Sequence, residues 1–424
     1  MTTSKRFLFV LWDGAGNVQP QLVIARRLVA RGHRVTVLAP RSLADRITAA
    51  GCEFSPYQRV PEHDSRSADT DLLKDWEPLT PFGMMARTRE RLSVGPALAY
   101  ARDTLDAIGR HGADVVAADF LLLGAFAAAE QAGLPAAALM HMIYVLPAPQ
   151  LPPMGTGFMP RHDFIGRLRD RIFQRLFKLL FNVGLASLNR GRRELGLEPV
   201  ASVLDALLRV ERVLVLTHPS FDFPAAALPS NVRYAGGQLD DLEWLEPWRS
   251  PWLEPSGQPV IVVSLSTGAQ NQEDTLNRIL RAVDGLPVRV LVTVGPACDP
   301  ARFLAPANVV LQAYAPHQHV FRAADLVVTH AGHGTVITAL KLGVPLVCLP
   351  MGRDQNDNAA RVVARGAGLQ LSPRARPGVV RAAIERVLND GRFRDNARRL
   401  ADRLALDGDP TLAARDLESL AQPR

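Results

Sequence analysis

Two kinds of hydrophobic spacing alternate along this chain. Short continuous apolar runs fall at residues 7–11, 35–38, 114–119, 136–140, 213–216, 232–234, 260–265, 288–294, 326–329 and 344–349. Such runs, bounded by turn residues, read as buried strands. Between them, apolar residues recur at three- and four-residue intervals, as helices require. Leu22, Ile24, Ala25, Leu28 and Val29 form one such face, closed by Gly32 before the next strand. Small residues fill a second helix at 124–131, and Val336, Ile337, Leu340 and Leu342 mark a third. Alternating strand and helix predicts an α/β chain opening on a βαβ unit, with parallel sheets.

Length divides that pattern in two. At 424 residues with 47% hydrophobic content, two packed cores are expected. The stretch 240–258 is acidic and rich in Pro and Trp, so a linker is placed at 238–258, between domains at 1–237 and 259–405. Net charge is +7, yet Lys5, Lys74, Lys178 and Lys341 are the only lysines. An excess made of arginine in an Ala-, Leu- and Val-rich chain reflects codon composition, and no aromatic-basic interleaving supports nucleic-acid binding. Cys52, Cys298 and Cys348 are too few and too scattered for a disulfide framework or a metal site, which fits a reducing cytoplasm. Asp13 interrupts the first apolar run, so a strand is expected there rather than a signal peptide. No run reaches the roughly 18 apolar residues of a membrane span.

The densest chemistry lies between Asp325 and Val362. A strand runs into His330-Ala331-Gly332-His333-Gly334-Thr335, where helical spacing begins at once. Unpaired N–H groups and the positive end of a helix dipole converge there, and glycines let an anion approach. His330 and Thr335 add side-chain donors. The loop after the next strand delivers Arg353, Asp354, Gln355 and Asn358; carboxylate and carboxamide together suit a polyol. Taken alone, such a glycine turn can also be purely structural.

The combination resembles the inverting nucleotide-sugar glycosyltransferases often called UDP-glycosyltransferases. The matching residues are His330, Gly332, Gly334, Thr335, Gly343-Val344-Pro345, Pro350, Asp354-Gln355 and Asn358-Ala359, with Gly16, Pro20, Leu22, Ala25 and Arg31-Gly32-His33-x-Val35 near the N-terminus. The resemblance implies two facing Rossmann-like, doubly wound domains (the GT-B fold) with a central cleft, and a tail, 406–424, returning to the first domain. By it, His330 and the turn Gly332, His333, Gly334 and Thr335 hold the diphosphate, and Asp354 and Gln355 hold the sugar. Tyr314-Ala315-Pro316-His317 resembles the segment whose aromatic ring stacks on the base, although a ring such as Tyr314 is more often core. Ser266, Thr267 and Gly295, at two further strand ends of the second domain, complete the expected donor site.

One position departs from the pattern. Asn17 stands where the family carries its general base, and an amide takes no proton near neutral pH. Asp119, at the end of its strand, matches the residue that orients that base, or is simply a helix cap. Asp13, in the same loop as Asn17, is the first candidate to replace the base, and His141, at another strand end, is the second. Irregular segments at 57–98 and 147–160, rich in Pro and Met, suit a lipophilic or aromatic acceptor. Ile165, Leu168, Ile172, Leu176, Leu179 and Val183 form a helical stripe among Arg167, Arg169, Arg171, Arg175 and Lys178. Such a helix can lie on a membrane; packing on its own domain is the expectation here, so no membrane partner is predicted.

The resulting expectation is a cytoplasmic enzyme, monomeric or homodimeric. It would move a hexose, glucose foremost, from a UDP- or dTDP-sugar to a small lipophilic acceptor with inversion, without metal or other cofactor. A nucleotide-sugar epimerase and a non-catalytic nucleotide-binding partner are the alternatives.

Overall fold

The computed structural model describes residues 4–77, 80–161, 163–252, 257–266 and 268–422. Two parallel sheets organise it. The first holds β1 (Arg6–Val10), β2 (Arg34–Ala39), β3 (Glu53–Pro56), β4 (Val115–Asp119), β5 (Ala136–Met140), β6 (Arg212–Val215) and β7 (Val232–Tyr234), in the order β3-β2-β1-β4-β5-β6-β7. The second holds β8 (Val260–Ser264), β9 (Arg289–Thr293), β10 (Val309–Gln312), β11 (Leu326–Thr329), β12 (Leu346–Cys348) and β13 (Gly368–Gln370), in the order β10-β9-β8-β11-β12-β13. Each sheet grows outward in both directions from its first strand. The crevice this leaves at the strands' C-terminal ends is where open α/β sheets take ligands.

The interior strands are the ones the apolar runs foretell; Val115, Val116, Ala117 and Ala118 on β4 are all fully buried. β3, β10 and β13 are not foretold, and all three lie at sheet edges. An edge strand is covered less completely, so its sequence is mixed: β3 reads Glu-Phe-Ser-Pro and β13 Gly-Leu-Gln.

Six helices position the site or frame it. α1 (Val18–Ala30) follows β1, and α2 (Leu123–Gln131) follows β4. α3 (Phe164–Asn182) is started by Asp163, whose carboxylate accepts from the Gly166 N–H at 2.8 Å. α4 (His333–Lys341) follows β11, and α5 (Gln355–Ala364) follows β12. α6 (Leu412–Leu420) crosses back to the first sheet, placing Ala413, Ala414 and Leu417 in the same core as Phe7, Leu22 and Val35. Glu418 fixes it through Arg31 at 2.5 Å and His33 at 2.8 Å.

The segment joining the sheets is docked rather than free. Arg27 donates to Gln238 at 2.8 Å and to Asp241 at 2.9 Å, while Arg26 lies 4.2 Å over the Trp244 ring. Residues 253–256 of the expected linker fall outside the described chain. At the joint, His218 is 1% exposed and neither ring nitrogen has a partner. Gly236, Gly237 and Gly408 crowd it, and a Cβ on Gly408 would come within 2.9 Å of the ring. Among the described residues, no helix is long and apolar enough to cross a membrane.

Candidate active site

A cavity of about 1240 Å³ lies between the C-terminal ends of the two sheets. Its first-domain wall is apolar, with Trp12, Phe120, Met142, Val145, Phe173 and Phe177. The second-domain wall is polar, with Ser266, Thr293, His330, Thr335, Asp354 and Gln355. One wall therefore suits a lipophilic molecule and the other a hydroxylated, anionic one.

At the seam of the two walls the structure joins Asp119, Asn17 and His141. β4 and β5 are neighbours, with Asp119 opposite Leu139, so His141 emerges beside the carboxylate just beyond the strand end. His141 Nδ1 lies 3.0 Å from Asp119 Oδ2, a close approach without the alignment of a hydrogen bond. The same oxygen accepts from Asn17 Nδ2 at 3.1 Å and from Gln21 Nε2 at 2.8 Å, and Oδ1 accepts from the Leu121 N–H at 3.2 Å. Burial alone would raise the Asp119 carboxyl, but the neighbouring His141 imidazole and these donors hold it below the usual carboxylate range. Asn17 spends its other amide hydrogen on Trp12 O at 3.0 Å, and its oxygen accepts from the Gly14 N–H at 2.9 Å. It braces the loop. The Phe120 ring, 5.6 Å away, bounds the imidazole on one side, and Nδ1 points to Asp119, leaving Nε2 for a ligand.

Asp13, the first candidate for the base, is otherwise engaged. Its Oδ1 accepts from Ser65 Oγ at 2.7 Å and the Ala15 N–H at 3.2 Å; its Oδ2 accepts from Ser42 Oγ at 3.1 Å and the Ser65 N–H at 3.2 Å. With four donors on its two oxygens, the carboxylate anchors the 63–65 loop. Of the two candidates for the base, Asp13 is engaged within its own domain, while His141 lies beside Asp119 at the cavity.

Across the cleft, β11 turns into α4 through Ala331, whose φ is 68°. Gly332 is required here, because a Cβ would sit 2.6 Å from His330 Nε2. His330 is 8% exposed, and burial pushes its imidazole down to about 4, so the ring is neutral. Gly334 and Thr335 lie in the first turn of α4 and line the cavity. His333 instead reaches over to the first domain, its Nε2 2.9 Å from Thr217 Oγ1. Asn358 locks the floor, donating to Ala331 O at 3.0 Å and to Asp354 Oδ2 at 2.8 Å. Gln355 uses its oxygen on the Met351 and Gly352 N–H groups at 2.7 and 3.1 Å, which shapes the loop over β12.

The remaining expected donor residues divide. Gly295, with φ 81°, and Ala315, 1% exposed, line the cavity as backbone. Ser266 Oγ accepts from the Gly268 N–H at 3.1 Å, and Thr267 lies outside the described residues. His317 sits 2.9 Å from Ser264 Oγ and stacks on Phe321, ring centroids 4.6 Å apart. Tyr314 is 68% exposed at the cavity rim, not core as its residue type suggested.

Several cross-cleft pairings escaped the sequence reading. Arg353 donates to Asp75 at 2.5 Å and to Gly14 O at 3.0 Å, and Gln270 joins the same carboxylate at 2.7 Å. Arg361 pairs with Asp222 at 2.7 Å. Asp357 accepts the Gly155 and Gly157 N–H groups at 2.5 and 2.8 Å, tying α5 to the 147–160 segment. Burial pushes its carboxyl up to about 6. Asp75 and the 155–157 turn lie in aperiodic segments, where spacing carries no signal.

Comparison with known proteins identifies the family and the fold. Residues 6–407 match the protein family described as UDP-glucoronosyl and UDP-glucosyl transferase. The 4'-demethylrebeccamycin synthase of Lentzea aerocolonigenes is 30% identical over 412 residues, covering 94% of this chain and 96% of that protein. The solved calicheamicin glycosyltransferase CalG4 superposes with a TM-score of 0.76 at 23% identity, over 99% of this chain and 98% of that one. The glycosyltransferase VinC, solved in complex with dTDP, superposes at 0.72 with 18% identity, over 98% and 99% of the two chains. At those identities the two structures establish a shared GT-B fold.

Proposed function

The chain belongs to the UDP-glucoronosyl and UDP-glucosyl transferase family and is a glycosyltransferase of natural-product type; on that premise we propose that it moves a hexose, glucose foremost, from a UDP- or dTDP-sugar to a small lipophilic or aromatic acceptor, inverting the anomeric carbon. The observation that carries the reading is His141 at 3.0 Å from Asp119, at the seam between the apolar and polar walls.

In this mechanism the acceptor hydroxyl sits against Phe120 and His141. Its oxygen attacks the anomeric carbon while its proton passes to His141 Nε2, and the bond from that carbon to the β-phosphate oxygen breaks on the opposite face. Asp119 steadies the imidazolium so formed, as positioned general bases require, a contribution of about 10²- to 10⁴-fold. The departing diphosphate gathers charge next to the first turn of α4, where N–H groups, the Thr335 hydroxyl and neutral His330 can donate to it. These donors serve without a metal ion. Asp354, held by Asn358, takes two sugar hydroxyls, and exposed Tyr314 offers its ring to the base. The VinC complex supports a dTDP donor and the family description a UDP donor.

The test is a panel of phenols and alcohols offered with UDP-glucose and with dTDP-glucose, read by mass for a hexose adduct and by proton coupling for the anomeric configuration. A β-linked product from an α-linked donor supports the reading. A changed sugar on intact nucleotide would instead make the chain an epimerase.

A further inference from the structure

α3 has two apolar faces. The inner one carries Phe173, Phe177 and Phe181 into the cavity wall, and its rotation is fixed by Gln174, which donates to Ala148 O and Leu151 O, each at 2.9 Å. The outer face was expected to be covered by the domain. It is not: Ile165, Leu168, Ile172, Leu179 and Val183 are 66, 46, 55, 68 and 66% exposed. Other exposed large apolar side chains, such as Leu242, Leu304, Val379 and Leu406, are scattered singly. A contiguous row of this kind marks a surface that something covers.

The charges on the same face say what. Arg171, Arg175 and Lys178 are exposed and make no ion pair among the described residues. The acids of the helix are used elsewhere: Asp163 caps its N-terminus and pairs with Arg161, and buried Asp170 pairs with Arg169 at 2.8 Å. The outer face is therefore apolar and cationic only. It is also a ridge about 28 Å long at 1.5 Å per residue, with long basic side chains able to extend past the apolar row. A fluid anionic layer meets both requirements at once, since acyl chains accept the row and headgroup phosphates accept the cations.

We propose that the outer face of α3 docks on an anionic lipid surface, with Ile165, Leu168, Ile172 and Leu179 among the upper acyl carbons and Arg171, Arg175 and Lys178 on the phosphates. Because the inner face of the same helix lines the cavity, docking brings the acceptor wall to within about one helix diameter, roughly 10 Å, of the bilayer. That supply route rests on the acceptor reading above; the docking does not.

The experiment is flotation of the full chain with vesicles of phosphatidylglycerol and phosphatidylcholine, against phosphatidylcholine alone, at low and at high salt. Wild type should float with the anionic vesicles at low salt, at least about tenfold less with the neutral ones, and less again at high salt. Two variants separate the contributions: Ile172→Ser with Leu179→Ser, and Arg171→Glu with Arg175→Glu. Each should lose at least about tenfold in vesicle binding while circular dichroism and turnover of a water-soluble acceptor stay at wild-type levels. Wild type that stays at the bottom with anionic vesicles overturns the proposal, as do variants that float equally well. A wild-type dimer that the apolar variant converts to monomer also overturns it, because the face would then join two copies of this chain.

Discussion

Asn17 donates to the same oxygen of Asp119 that His141 approaches from the other side. The amide stands where the resemblance puts the family's base and the imidazole lies just past the end of the neighbouring strand, so on the proposed mechanism the carboxylate keeps its orienting role toward a base that has moved to His141. His141→Ala should therefore lower kcat on alcohol acceptors by about 10²- to 10⁴-fold and spare the most acidic phenols. Adding Asn17→His to that variant should recover part of the loss. Steady-state kinetics across acceptors of graded acidity decide it: uniform losses, or none, refute the relocation.

Asp13→Asn should behave differently. Two hydroxyls and two N–H groups lose a charged acceptor, at a cost of about 1–3 kcal/mol in stability. The melting temperature should fall, and turnover should drop in similar proportion for alcohols and phenols. A selective loss on alcohols, with unchanged melting, would return Asp13 to the role of base.

On the proposed mechanism, His330→Ala removes a donor from the place where leaving-group charge develops. Loss of one such donor costs about 2.7–4 kcal/mol, or 10²- to 10³-fold in kcat. Burial keeps His330 neutral down to about pH 4, so the wild-type rate should show no inflection from this residue between pH 6 and 9. Near-wild-type turnover in a folded variant removes it from the anion site.

Asp357 titrates in a useful range. Above about pH 6 it is ionised and accepts both N–H groups of the 155–157 turn; below, a proton occupies one oxygen and weakens that grip. The acceptor KM should rise as pH falls through 6. Asp357→Asn should hold the high KM at every pH, and a KM that tracks wild type would separate this clasp from acceptor binding.

His218 sets a stability slope of opposite origin. Burial lowers its imidazole from 6.5 to about 4, so between those pH values the unfolded chain binds a proton that the folded chain refuses. Stability is complete above 6.5 and is lost as pH falls toward 4, by at most about 3 kcal/mol at 1.36 kcal/mol per pH unit. His218→Leu should flatten the melting curve against pH over that window; an unchanged slope assigns the acid sensitivity elsewhere.

What the sequence disclosed follows from what spacing can encode. Strands buried on both faces announce themselves, so the sheet interiors and the carboxylate at the end of β4 were legible. Adjacency was not: nothing between residues 119 and 141 states that β5 lies beside β4, and only that pairing brings imidazole to carboxylate. Aperiodic segments hid Asp75, although its partner Arg353 stood next to the recognised Asp354-Gln355 pair. The stripe on α3 was seen, but periodicity marks an apolar face without saying what covers it. Here the covered side was the run of phenylalanines, and the stripe faces outward.

The return of α6 to the first sheet has a consequence for the order in which the chain can be made. Ala413, Ala414 and Leu417 belong to the same buried cluster as Phe7, Leu22 and Val35, so residues early in the chain wait for partners far downstream. Until α6 has left the ribosome, the part of that cluster its side chains cover stays open to water. The second domain lies in the chain between the two parts of this cluster, so it must emerge before the core of the first domain is complete, and the first domain stays open to chaperones and proteases for longer during translation.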